Sequence, residues 1–136
     1  MIHANWNQLK RAYSTHSGVK IDQESLSFYL LLFYAIEAGL KSIYLRENKL
    51  NTTQNIPDDK LKRTHDLSIW VKELRFPASV AGCKGHFRLE RDSTSWQVQH
   101  IHEAWRYHVN IEKTDQQEIV AWLKKLKETI KERIGQ

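Results

Sequence analysis

The stretch LSFYLLLFYAI, residues 26–36, is apolar on nearly every side. A helix on the surface of a folded chain needs only one apolar stripe, whereas a helix that is apolar all round has to be surrounded. This segment is therefore expected to form a central, buried helix. Asp22 is placed to cap it, and the pattern carries it to about Arg46. Glu37 and Lys41 stand four residues apart in its second half and can pair on one face. With Glu37 and other polar residues interrupting it, the segment is read as a core helix and not as a membrane span.

The rest of the chain supplies partners for such a helix. Only five Gly and two Pro occur in 136 residues, which favours helices over a many-turned β fold. Trp6, Leu9 and Tyr13 recur at helical spacing over 3–16, and Gly18 follows as a stop. After the polar loop ENKLNTTQNIPDD, a third helix opens either at Pro57 and the acids behind it or at Thr64 as N-cap. Leu67, Trp70, Val71 and Leu74 form its stripe, and Pro77 ends it. FPASVAGCKGHFRLERDS reads as a long loop, with a short hairpin around CKGH as the other option. A fourth helix is expected from about 93–95, with Trp96, His100, Ile101, Ala104, Trp105 and His108 sharing a face. That puts His100 in the core. A last helix follows a capping box at Thr114 and Gln117, with a lysine-rich outer face. With no repeat or linker, residues 1–136 are read as one domain, an all-α antiparallel bundle of four to five helices.

Composition narrows the function classes. The net charge of +5 permits an acidic partner such as RNA without demanding one. A single cysteine, Cys83, excludes an internal disulfide and suits a reducing compartment. The N-terminal residues have no signal-peptide pattern, so a soluble, cytoplasmic protein is expected. Phosphate-binding glycine loops and a GxSxG elbow are absent. Cys83 and His86 stand as CxxH, and His100, His102 and His108 lie close in sequence. Neither HExxH nor a second Cys accompanies them, so no metal and no cofactor are expected.

Two groups of residues carry the remaining chemistry. Metal-free RNA cleavage needs a proton-handling group and a cation near the phosphorus. His102, Arg106 and His108 are the candidates for that role, His102 and Arg106 being one helical turn apart. The alternative for these residues is a solvated face beside a core histidine. Lys84, His86, Arg88 and Arg91 make the long loop a candidate substrate-binding surface, although interleaved acids such as Glu90 and Asp92 could equally make it an ordinary solvated one.

Three pieces in succession carry a family likeness: YAIEAGLKSIYL at 34–45, THDLSIW at 64–70 and EAWRYHV at 103–109, ahead of a last amphipathic helix. The succession resembles the HEPN superfamily of small helical bundles in prokaryotic defence and toxin–antitoxin systems. The likeness spans roughly 25–134. It implies that Glu37, Lys41, His65 and Asp66 are structural, with His65 hydrogen-bonded near Glu37 at a helix start. It also implies a domain that acts through protein or nucleic-acid binding, with a partner such as a nucleotidyltransferase, often as a homodimer. Catalytic HEPN ribonucleases carry an Arg, then four to six residues, then His, late in the chain. Here Arg106 has no such His, and the one match, Arg11 to His16, lies in the first helix. A non-catalytic binding domain is therefore the expectation, and a metal-independent ribonuclease the alternative.

Overall fold

The apolar segment forms one continuous helix, and the long elements of the fold are placed around it. A computed structural model describes residues 2–18, 25–83 and 85–135. The expected cap Asp22 and the expected phosphate contact Lys84 lie outside the described residues. In chain order the elements are α1 (Trp6–Ser17), α2 (Leu26–Glu47), α3 (Asp59–Arg63), α4 (Leu67–Glu73), α5 (Ala78–Ala81), β1 (His86–Arg88), β2 (Ser95–Gln97), α6 (Ile101–Arg106) and α7 (Lys113–Ile134). α1, α4, α6 and α7 all pack on α2. Leu32, Phe33, Ile36, Leu40, Ile43 and Leu45 of α2 are buried, and burying each side chain of this size stabilises the fold by about 1.5–3 kcal/mol. Gly39 marks the closest approach. A Cβ there would sit 2.7 Å from Ile130 Cγ2 and 2.9 Å from Tyr13 Cδ1, so α1 and α7 both press on this point of α2. By length and composition alone α2 is long and apolar enough to cross a membrane, a test that the core helix of a folded chain also passes. In this fold it is the central packed helix.

Local hydrogen bonding explains where the elements depart from the sequence reading. α1 begins at Trp6 because Asn5 and Gln8 cap it reciprocally, at 2.9 Å each way. The residues before the cap instead bond to the loop at Thr53, whose N–H donates to the Ala4 carbonyl at 2.9 Å. Ser25 caps α2, its Oγ accepting from the Phe28 N–H. The single expected third helix is two. Asp58 caps α3, Thr64 is extended, and Asp66 caps α4 by accepting from the Ser68 N–H at 3.0 Å. α4 stops before Pro77, where Arg75 turns the chain at φ 56°, and Pro77 instead opens α5. Glu112, not Thr114, caps α7, accepting from the N–H groups of Thr114 and Asp115.

The largest correction lies at 86–100, where the fold is not purely helical. β1 and β2 form an antiparallel hairpin with Phe87 opposite Trp96. The hairpin does not turn around CKGH. It turns through 89–94, where Asp92 accepts from the backbone N–H and the hydroxyl of Thr94 and Ser93 takes φ 60°. A 3-10 turn over Val98–His100 then leads into α6, which is only six residues long. Buried Asp115 ties the hairpin to α7, accepting from Arg88 N at 3.0 Å and Arg88 Nε at 3.2 Å. The fold is mostly helical with one small sheet.

Candidate functional site

Three elements bring side chains together beside the middle of α2. Phe33, Glu37 and Lys41 lie four residues apart along that helix, and so follow one another down a single face. His65 stands directly before the cap of α4. The neighbouring turn is fixed by Thr64 Oγ1, which accepts from the Asp66 N–H at 3.0 Å. His102 and Arg106, one turn apart, come from α6.

Glu37 is the organising group. It is only 7% exposed, and its Oε1 accepts from Lys41 Nζ at 3.1 Å and from His65 Nδ1 at 2.9 Å. Burial pushes its pKa upward. The hydrogen bond from His65 and the charge of Lys41 outweigh that, so the carboxyl is held below its ordinary value. An ionised carboxylate only accepts, so His65 Nδ1 carries the proton and Nε2 is left for other partners. The bond to Glu37 raises the His65 pKa against the opposing effects of burial and of the Lys41 and Arg106 charges.

His102 is the opposite case. Its ring is 7% exposed, stacks on Phe33 with centroids 5.1 Å apart, and meets the His65 ring at the same distance, tilted by 45°. Its Nδ1 is buried without a protein hydrogen-bond partner. Burial first, and then the charges of His65 and Arg106, press its pKa below the usual histidine value. The site thus pairs an exposed histidine whose pKa is raised with a buried one whose pKa is lowered. Arg106 closes the group, with Nη2 donating to the Tyr34 hydroxyl at 2.5 Å and its guanidinium open to solvent.

This arrangement redraws the candidates read from the sequence. His102 and Arg106 do stand together, but His102 is buried and not on a solvated face. His108 is not with them. α6 ends at Arg106, and His108 turns away at φ 56° to border a shallow depression with Glu90 and Arg91. His65, assigned a structural place, faces His102 directly. His100 is not a core residue. It is partly exposed and pairs with Glu103 at 2.8 Å. On the hairpin, His86 and Arg91 are exposed, while Arg88 is engaged by Asp115 and Glu112 and so acts as an anchor. Phe33 and Tyr34 were missed; their signal was an aromatic pair one turn before Glu37. Among the described residues, no group of three or more His, Cys, Asp or Glu side chains could hold a metal ion. No family model, curated protein or solved structure matches this chain.

Proposed function

We propose that this chain is a HEPN-like helical domain that binds RNA, and that His65 and Arg106 form its phosphate clamp. One observation carries the reading. Two exposed basic groups, Arg106 and a His65 whose pKa is raised by a buried carboxylate, flank a buried histidine whose pKa is lowered. A phosphate bridging His65 Nε2 and the Arg106 guanidinium would gain two charge-assisted hydrogen bonds. The net charge of +5 favours the encounter with a polyanion. The HEPN likeness adds a partner protein such as a nucleotidyltransferase, or a second copy of the chain, to the proposal. Co-purification and sedimentation test both.

The clamp is tested by fluorescence anisotropy of a labelled 2′-O-methyl single-stranded oligomer at pH 6 in EDTA. Arg106→Ala and His65→Gln should each weaken binding. Each should also reduce the slope of log K against log salt by about 0.7, the value for one phosphate contact on a single strand. Unchanged affinity and slope in both variants would refute the clamp.

The opposed histidines favour a second reading, a metal-independent ribonuclease. In that reaction the 2′-oxygen bonds to the adjacent phosphorus and the bond to the 5′-oxygen breaks. The 2′-hydroxyl proton passes to neutral His102, and His65 gives its proton to the departing 5′-oxygen. The products are a 2′,3′-cyclic phosphate and a 5′-hydroxyl. Cleavage of mixed RNA in EDTA by the wild type, abolished in His65→Gln and Arg106→Ala, would establish this reading. Intact RNA with retained binding would leave the clamp alone.

A further inference from the structure

Beside the clamp, α6 and the hairpin enclose a groove of about 280 Å³ that the histidine cluster does not use. Phe87, Leu89 and Ala104, all buried, lie along it, and Trp96 and Tyr107 stand beside them. Trp96 is 46% exposed and Tyr107 67%, and both are large apolar side chains left open to solvent. Trp96 is nevertheless held in place. Its Nε1 donates to Thr94 Oγ1 at 3.1 Å, and Asp92 fixes Thr94 in turn. A second contact comes from His100, edge-on at 5.9 Å. An exposed indole anchored at one edge presents a rigid face, and flat rings stack on such faces with little loss of entropy.

The volume lies just under the roughly 300–1,000 Å³ usual for drug-sized ligands, which suits one small planar ring system. Charge identifies what such a ring would be attached to. Arg91, paired with Asp92 at 3.6 Å, and Glu103, paired with His100 at 2.8 Å, both border the groove, and the Arg106 guanidinium lies 5.8 Å from the centre of the Tyr107 ring. Cations therefore stand within a nucleotide's reach of the aromatic walls, so a ring here would be tethered to an anion. We propose that the groove seats one unstacked nucleobase of single-stranded RNA, whose phosphate lies at Arg106. The proposal rests on the RNA-binding reading above and extends it from phosphate to base.

The test uses the whole protein and the 2′-O-methyl oligomer, beside an abasic oligomer of the same length. Trp96→Ala and Tyr107→Ala should each weaken binding of the base-bearing oligomer roughly 5- to 150-fold, the range for loss of one base stack. Trp96→Phe should restore most of that loss. On the abasic oligomer, the wild type and Trp96→Ala should bind alike. Circular dichroism and melting curves confirm that each variant is folded. Wild-type affinity in both alanine variants would overturn the base groove, and a loss confined to Arg106→Ala would then leave the clamp standing by itself. Loss in Trp96→Ala with none in Arg106→Ala or His65→Gln would support the base stack, overturn the placing of its phosphate at Arg106, and overturn the clamp. Equal losses on the abasic oligomer would mean that Trp96 shapes the hairpin and does not stack. A wild type that binds neither oligomer would overturn both.

Discussion

Replacing Glu37 by Gln separates the electrostatics of the site from its shape. The side chain keeps its size and can still accept a hydrogen bond, but the charge that holds Lys41 and His65 is gone. Hydrogen bonds to charged groups contribute about 1.5–3 kcal/mol each, and breaking a fully buried ion pair costs about 3–5 kcal/mol. Here both partners reach solvent, with side-chain exposures of 20% for Lys41 and 55% for His65, so water recovers part of the loss. A destabilisation of about 2 kcal/mol is expected, which lowers the melting temperature by roughly 5–10 °C. The pH dependence is more specific. Glu37 is held below its ordinary 4.5, so its contribution is present above 4.5 and is lost as pH falls through the lowered value. His65 is held above its ordinary 6.5, so its share is full below 6.5 and is lost as pH rises through the raised value. The gap between wild type and Glu37→Gln is therefore widest between pH 4.5 and 6.5, and it narrows above that window, where only Lys41 remains paired with Glu37. His102 acts in the other sense. Its stabilising share is full above 6.5 and is lost as pH falls, but it is present in both proteins and largely cancels from the difference. Melting curves across pH, with NMR titration of the His65 ring, read both effects. In the variant the His65 pKa should drop to or below 6.5, because Lys41 and Arg106 still press on it. A His65 pKa that stays raised, or a gap that grows above pH 7, would show that Glu37 does not organise the site.

Three further substitutions test how the fold carries the site. Asp115→Ala leaves the Arg88 N–H beneath the hairpin without its acceptor, while the exposed guanidinium keeps Glu112, and should cost about 1–3 kcal/mol in urea unfolding. Arg88→Ala keeps its backbone N–H bonded to Asp115 and should cost clearly less; an equal loss would contradict the anchoring role of Asp115. Gly39→Ala gains about 1 kcal/mol of helix propensity but drives a Cβ into Ile130 and Tyr13, where overpacking costs about 1–3 kcal/mol. Its stability should be unchanged or lower, and a gain of 1 kcal/mol would mean that α1 and α7 yield more easily than their close approach implies.

The all-round apolar pattern of 26–36 was enough to identify a central helix, because no other environment accommodates it. The pairing of Glu37 with Lys41 was legible from helical spacing. The meeting of Glu37 with His65 was legible only through the family likeness. What was not legible depended on contacts distant in sequence. A helix reading of 93–108 put Trp96 and His100 in the core and His102 outside. The hairpin and the 3-10 turn shift the phase of the short helix and reverse those places. The alternation in HFRLE, with Phe87 and Leu89 buried between exposed neighbours, was the period-two signal that went unread. His108 was misplaced for the same reason, since α6 ends two residues before it. Asp115 gave no local sign at all, because its partner Arg88 lies 27 residues away.

Stability alone gives little reason for a carboxylate in the middle of α2. Well-packed apolar side chains commonly replace a buried ionic group without loss, and Glu37 is the one charged side chain among the described buried residues of this helix. Two neighbouring features do no more for the core. His102 leaves Nδ1 buried and unpartnered, a state that costs free energy. Trp96 on β2 and Tyr107 just past the end of α6 leave large apolar faces in water. Each departs from what packing would select, and all lie on or beside one six-residue helix and the hairpin leading into it. Although Trp70 Nε1 on α4 is likewise buried without a partner, local rules that fail together in one place are what the proposed binding role would produce. If so, Glu37→Leu paired with His65→Leu should fold at least as stably as Glu37→Gln while losing the oligomer. A double variant that keeps wild-type affinity would return the carboxylate and its histidine to a purely structural role.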